Sequence, residues 1–252
     1  SYATVRWMAD LGVAWEFNRA VGPVRFQNSP RIRLARGAAL RAKGEGVILS
    51  STLFRLAMEN DITILYETEA EHLIVTEDGR VCGVSVQSAK GSTSLHCRAL
   101  VLASGGFQGN ATLRTTHLGP GWDSVKVRGT PYNTGEMTLE ALSIGAASYG
   151  EWSGCHATPI DAAAPPFGDL RLTDKTNRLS YPYGVMINLE GKRFVDEGEA
   201  FNLYTYARMG REILRQREAI VFQIFDEQTY SLLEKRYNTA EPIVAVSYTH
   251  LT

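Results

Sequence analysis

No stretch of this 252-residue chain approaches the ~20 consecutive apolar residues that a membrane-spanning helix needs. Cysteine is scarce. Cys82, Cys97 and Cys155 are odd in number and widely spaced, which argues against a disulfide framework and against a zinc site. They read as free thiols of a reducing cytoplasm. The five histidines (His72, His96, His117, His156 and His250) form neither an HxH nor an HExxH pair, so no metal is expected. Neither sign of charge dominates. A net charge of -1 gives no pull toward nucleic acid or an anionic membrane surface. Internal repeats and low-complexity tracts are missing. The Ser1-Tyr2-Ala3-Thr4 start carries no basic segment followed by an apolar one, so no signal peptide is read. With no initiator Met, the chain is read as a fragment. A complete GxGxxG is also lacking, because Gly44-Glu45-Gly46 is followed by Leu49 where the third glycine would stand.

What is present suits a globular protein: 44% hydrophobic residues allow a sizeable core. Residues 5–17 read as the end of a helix, a break at Gly12 and a short extended run. Residues 27–46 are irregular and basic. Ser50 or Ser51 is expected to cap a helix carrying Leu53, Phe54, Leu56, Ala57 and Met58. The β-branched run Ile62–Tyr66 predicts a strand. Leu73–Glu77 and Arg80–Val84 flank Asp78-Gly79, the signature of a hairpin closed by a type I′ turn. The unbroken apolar run Ala99–Ala103 predicts a strand buried on both faces. Asn133 and Glu136 resemble a capping box opening a helix that ends near Gly145. Residues 151–184 read as loops. A second hairpin is expected from Val185–Asn188 through Glu190-Gly191 to Arg193–Val195. A helix around 206–217, a strand from 219 to 225 and a helix capped by Asp226 follow. Residues 246–252 read as a tail outside the native fold.

Ser104-Gly105-Gly106 closes the 99–103 run, where backbone without side chains lets a phosphate approach closely. A tight structural turn is the plain alternative. In order, Lys43–Gly46, the helix, the strand Ile62–Tyr66, the hairpin and Val101–Phe107 resemble the second half of an FAD domain of the fumarate reductase/succinate dehydrogenase flavoproteins. Asn133-Thr134-Gly135-Glu136 with Leu142–Ala146 resembles a further helix of that family. Gly154–Pro159 resembles its substrate histidine segment, and Val185–Glu197 its GKRFVDE segment. The likeness spans roughly residues 5–235. It is closest to the tricarballylate dehydrogenase branch, through Tyr181–Gly184 and Asp196–Phe201.

The resemblance implies an α/β fold: an incomplete Rossmann-like FAD-binding domain over residues 1–150 and an α+β cap over 151–245. It implies FAD as cofactor, with Gly44, Gly46, Ala70, Ser104, Gly105, Gly106, Thr134, Gly135 and Glu136 near it. Glu136 stands where the family has Asp. It places His156, Thr158, Thr176 and Arg178 at the substrate. The reaction implied is dehydrogenation of a CH–CH bond next to a carboxylate, in a di- or tricarboxylic acid, with a protein or quinone-linked electron acceptor. The family's proton-donating arginine falls on Phe201. Arg178, Tyr204, Tyr206 and Arg208 are therefore the acid–base candidates by proximity, although Tyr206 reads as a core residue of its helix. A fumarate-reducing or steroid-oxidising flavoprotein, or a non-catalytic flavin- or acid-binding module, stays open as an alternative.

Overall fold

The computed structural model describes residues 2–17, 24–25, 32–33, 40–200 and 202–234. Phe201, the 246–252 tail and much of the basic stretch from 27 to 43 lie outside the described residues. The chain divides into two compact units, Ser1–Thr68 and Glu69–Thr252. The expected boundary at 150 falls within the second.

In the first unit, α1 (Tyr2–Asp10) ends at a turn through Gly12. Strand β1 (Trp15–Phe17) then pairs antiparallel with β4 (Leu40–Ala42), Trp15 opposite Ala42. Between them, β2 (Val24–Arg25) and β3 (Ile32–Arg33) form a two-residue antiparallel ladder. Helix α2 (Glu45–Glu59) starts at Gly44, whose φ of 82° no side chain adopts cheaply. The expected cap at Ser50 or Ser51 is therefore corrected. Both serines lie inside the helix, their hydroxyls donating back to the Val47 carbonyl. Arg41 fixes the start instead, bonding Glu16 and Glu45 at 2.8 Å each. Ile62–Tyr66 is not a strand. Asp61 and Glu67 on either side have left-handed φ of 54° and 51°, and Tyr66 stacks on Phe54 of α2 (6.3 Å between ring centres).

The second unit opens with a three-stranded sheet in the order β5 (Thr68–Val75), β6 (Val81–Ser88), β7 (Gly91–His96). The β5–β6 hairpin is present, but its turn is not type I′. Only Gly79 of the central pair has positive φ (83°), and Gly79 N–H donates to Thr76 O at 2.9 Å. Asp78 instead accepts from the Thr76 hydroxyl, and Thr76 and Arg80 close a longer loop. That is the next most common hairpin connection, with glycine at its left-handed position. Glu140 ties this sheet to the helix over Glu136–Ser143, accepting from Leu73 N–H and meeting His72 Nδ1, both at 3.2 Å.

Residues 99–103 form no ladder, and Val101 is 87% exposed. An apolar run becomes a strand only beside a partner, and among the described residues it has none. Helix α3 (Ala111–Leu118), unforeseen in the sequence, is capped by Asn110, whose side chain accepts from Leu113 N–H. Arg114 on it is buried and donates to the carbonyls of Gln108, Trp122 and Asp123 at 2.6–2.7 Å. Helix α4 (Glu136–Ser143) begins at Gly135 with φ of 88° and no side-chain cap, so the capping-box expectation at Asn133 is also corrected. Residues 151–184, expected as loops, hold a single bridge, Ile160–Asn177, and one 3₁₀ turn, Tyr181–Tyr183.

Strand β8 (Val185–Asn188) pairs antiparallel with β9 (Val221–Ile224), while the Glu190-Gly191 turn returns only to a single bridge at Ile187–Arg193. The Glu197 carboxylate is buried. It accepts from Met186 N–H and from both Nε and Nη2 of Arg193, fastening the turn to β8. Helix α5 (Asn202–Leu214) packs Met209 onto fully buried Tyr181 and Met186. Asp226 caps α6 (Glu227–Tyr230), as expected. Among the described residues no helix is long and apolar enough to cross a membrane, and no cluster of ligands suits a metal.

Candidate cofactor and substrate site

Two glycine loops of the second unit interlock. Ser104, Gly105 and Gly106 are exposed, and Gly105 has φ of 85°. A Cβ on Gly105 would lie 2.7 Å from Asn133 Oδ1, and one on buried Gly135 2.9 Å from Phe107 Cβ. Gly109 N–H donates to Asn133 O at 2.7 Å, and Asn110 Nδ2 to Thr134 O at 3.2 Å. Side chains at 105 or 135 would force the loops apart. The structure thus brings Ser104, Gly105 and Gly106 together with Thr134, Gly135 and Glu136. The Thr134 hydroxyl donates to the Glu136 carboxylate. Among the described residues, the backbone N–H groups of 104–106 make no hydrogen bond. Exposed N–H groups on a glycine turn suit the phosphate and ribose oxygens of a dinucleotide. Gly44 and Gly46 belong to the first unit, at the start of α2. Ala70 lies within β5, half-buried.

Phe107, next to Gly106, joins this loop to the histidine segment. Its ring stacks on Trp152 (5.8 Å, 22°), and His117 of α3 touches both, at 5.2 and 5.0 Å. Four residues past Trp152, His156 is exposed, and its Nε2 is 2.8 Å from the Tyr206 hydroxyl. The tyrosine ring meets the imidazole nearly edge-on, at 4.7 Å and 68°. Gly210, one turn further along α5, makes this approach possible. A Cβ there would sit 2.4 Å from Thr158 N. Thr158 is half-buried against that helix.

Thr176 and Arg178 run beside Pro159–Asp161. Asp161 N–H donates to Thr176 O (2.9 Å) and Arg178 N–H to Pro159 O (3.1 Å). Both side chains are buried. The Arg178 guanidinium pairs with the buried Asp161 carboxylate and donates to the Lys175 and Asn177 carbonyls at 2.9 Å. Arg208 is placed differently. With Glu199, Arg193 and Asp196 it lines an open cleft of about 770 Å³. Its Nε and Nη2 grip Glu199 in bidentate fashion, at 2.8 and 2.6 Å. Tyr204 is 75% exposed on the same face of α5, one turn before Arg208.

In sequence Tyr206 reads both as an acid–base candidate and as a core residue of its helix. It does pack against the Tyr181 cluster, yet its hydroxyl reaches His156. The Tyr206/Gly210 spacing of four was the available signal, since it puts a polar tip and a close-approach point on one helix face. Nothing in the sequence announced the Phe107–His117–Trp152 cluster.

A glycine loop whose N–H groups stay unbonded among the described residues, with a histidine segment stacked beside it, is an arrangement that suits a nucleotide cofactor. A profile described as the FAD binding domain matches residues 1–237. The chain belongs to that family, whose cofactor is FAD. It is 27% identical over 234 residues to the vinyl phenol reductase of Lactiplantibacillus plantarum, covering 89% of this chain and 43% of that protein. To the 4-oxocyclohexanecarboxylate 2-dehydrogenase of Sinomonas cyclohexanicum it is 26% identical, over 81% of this chain and 36% of that one. To the NADH:acrylate oxidoreductase of Vibrio harveyi it is 28% identical, over 78% and 19%. The chain thus spans less than half the length of these relatives. Its fold matches an open flavocytochrome c3 fumarate reductase with a TM-score of 0.66 at 23% identity, covering 90% of this chain and 37% of that one. It also matches the 3-ketosteroid-Δ4-(5α)-dehydrogenase of Rhodococcus jostii RHA1, with a TM-score of 0.60 at 18% identity over 98% and 51%.

Proposed function

We propose that the protein dehydrogenates a CH–CH bond next to a carboxylate in a di- or tricarboxylic acid resembling tricarballylate. One observation carries the reading: the exposed His156 imidazole stands on a segment that Trp152 stacks against the glycine loop through Phe107. A hydrogen-bond donor for an anionic substrate is thereby held beside the cofactor loop. Residues 1–150 serve FAD and residues 151–245 the substrate; Ser104, Gly105, Gly106, Thr134, Gly135 and Glu136, with Ala70 of the same unit, hold the cofactor, and Gly44 and Gly46 are assigned to it by resemblance alone. Bound FAD supplies the hydride acceptor.

The chain's own residues supply the rest. His156 donates to one substrate carboxylate, with Thr158 beside it. Arg208 receives another in its planar fork, the arrangement Glu199 already displays. Tyr204, one turn before Arg208, is the group left to take the proton α to the carboxylate, because a protonated, carboxylate-bound guanidinium has no basic site. Arg178 and Thr176 act from beneath, because the Arg178 guanidinium is held by Asp161. Acrylate and 4-oxocyclohexanecarboxylate, named for two relatives, both carry a carboxylate. The electrons leave to a protein or quinone-linked acceptor. Fumarate reduction or steroid oxidation is the second reading, favoured by the fold match to those enzymes.

The test is His156→Ala. The variant is expected to fold, with KM for the polycarboxylate raised by the ~1.5–3 kcal/mol that a charge-assisted hydrogen bond is worth. Unaltered kinetics in a folded variant would remove His156 from the site.

A further inference from the structure

We infer that Tyr206 is a positioning residue that fixes the tautomer of His156, so that Nδ1 carries the proton and faces the substrate. The inference rests on the carboxylate-binding reading of His156 for its purpose but not for its geometry. In a neutral imidazole one nitrogen donates and the other accepts. The basic imidazole nitrogen is a better acceptor than a phenol oxygen, and a phenol O–H is a better donor than an imidazole N–H. The 2.8 Å contact between Nε2 and the Tyr206 hydroxyl is therefore an O–H···N bond, with Nε2 as its acceptor. The proton is left on Nδ1, which has no hydrogen-bond partner among the described residues, on an exposed side chain. This is the reverse of the tautomer an imidazole prefers in water.

Two features make Tyr206 fit to impose it. Its ring is anchored against Tyr181, Met186 and Met209, so the hydroxyl does not wander. Gly210 brings the helix so close to Ala157 and Thr158 that the imidazole has the tyrosine ring as its wall, edge-on at 4.7 Å. A second-residue hydrogen bond that sets a histidine's tautomer is a recurrent way of aiming the other nitrogen.

The experiment is two-bond ¹H–¹⁵N correlation spectroscopy on the FAD-loaded protein carrying ¹⁵N-histidine, with His156→Gln identifying the His156 signals. The expected result is an Nδ1–H tautomer in the native protein at a pH where the imidazole is neutral. In Tyr206→Phe, which keeps the ring and its packing, the tautomer is expected to shift toward Nε2–H. KM for the tricarboxylate should rise about three- to tenfold with kcat nearly constant, the range one neutral hydrogen bond is worth. A native His156 protonated on Nε2 would overturn the inference by itself, whether or not the variant folds. So would a tautomer unmoved by Tyr206→Phe. If the tautomer shifts as expected but His156→Ala leaves KM unaltered, the inference stands and the carboxylate-binding reading falls.

Discussion

At the residue scale, Gly210 shows how one missing methyl group can place a functional side chain. In a helix, alanine is favoured over glycine by ~1 kcal/mol. At position 210 the added Cβ would lie 2.4 Å from Thr158 N and 2.6 Å from Ala157 C, both backbone atoms that cannot swing aside. Overpacking of this kind costs ~1–3 kcal/mol or more and outweighs the propensity gain. Gly210→Ala is expected to lower the thermal midpoint and to raise KM, because α5 must retreat and carry Tyr206 away from His156. A midpoint equal to or above that of the native protein would show that the contact has slack. Family resemblance made part of this legible: it singled out His156 and Thr158, with Arg208 added by proximity in sequence, and each stands exposed or half-buried on or near α5. Thr176 and Arg178 were singled out in the same way but are buried. A sequence does not reveal that Asp161, seventeen residues before Arg178, will occupy its guanidinium.

At the element scale, the local signals that held were those complete in themselves. Asp226 caps α6, Glu190-Gly191 turns, and the hairpin after β5 forms. Signals that need a distant partner did not hold in the same way. Ile62–Tyr66 and Ala99–Ala103 have strand composition, but a ladder needs a neighbouring strand to accept and donate its bonds. Helix α4 illustrates a partner that is visible. Glu140 accepts from Leu73 N–H, and that bond first, then His72, holds its carboxyl below the usual glutamate value. A depressed folded pKa means that the stabilising contribution is present above the unfolded value of 4.5 and is lost as pH falls through the folded one. Glu140→Ala is therefore expected to lower stability near neutral pH, with the gap to the native protein closing as the solution is acidified below that value. Denaturant unfolding at a series of pH values checks this. A gap independent of pH would assign the effect to packing instead.

At the scale of the whole molecule, the proposed enzyme oxidises one acid faster than it reduces another. Oxidising a CH–CH bond beside a carboxylate and reducing the corresponding alkene share a transition state, so a catalyst cannot alter their equilibrium. It can lack the group one assay depends on. In the proposed reading Phe201 aligns with the proton-donating arginine of fumarate reductases, and phenylalanine cannot donate a proton. A positioned acid or base is worth about 10²–10⁴-fold in either direction, so a site without the arginine is expected to be a poor catalyst for fumarate, whose chemistry relies on it. The decisive measurement runs both directions on one preparation of the flavin-loaded protein: dye reduction with tricarballylate, and fumarate reduction with a reduced viologen. Faster oxidation of tricarballylate than reduction of fumarate is the expected result. Fumarate reduction at the rate of a true fumarate reductase, with no dye reduction by tricarballylate, would contradict it.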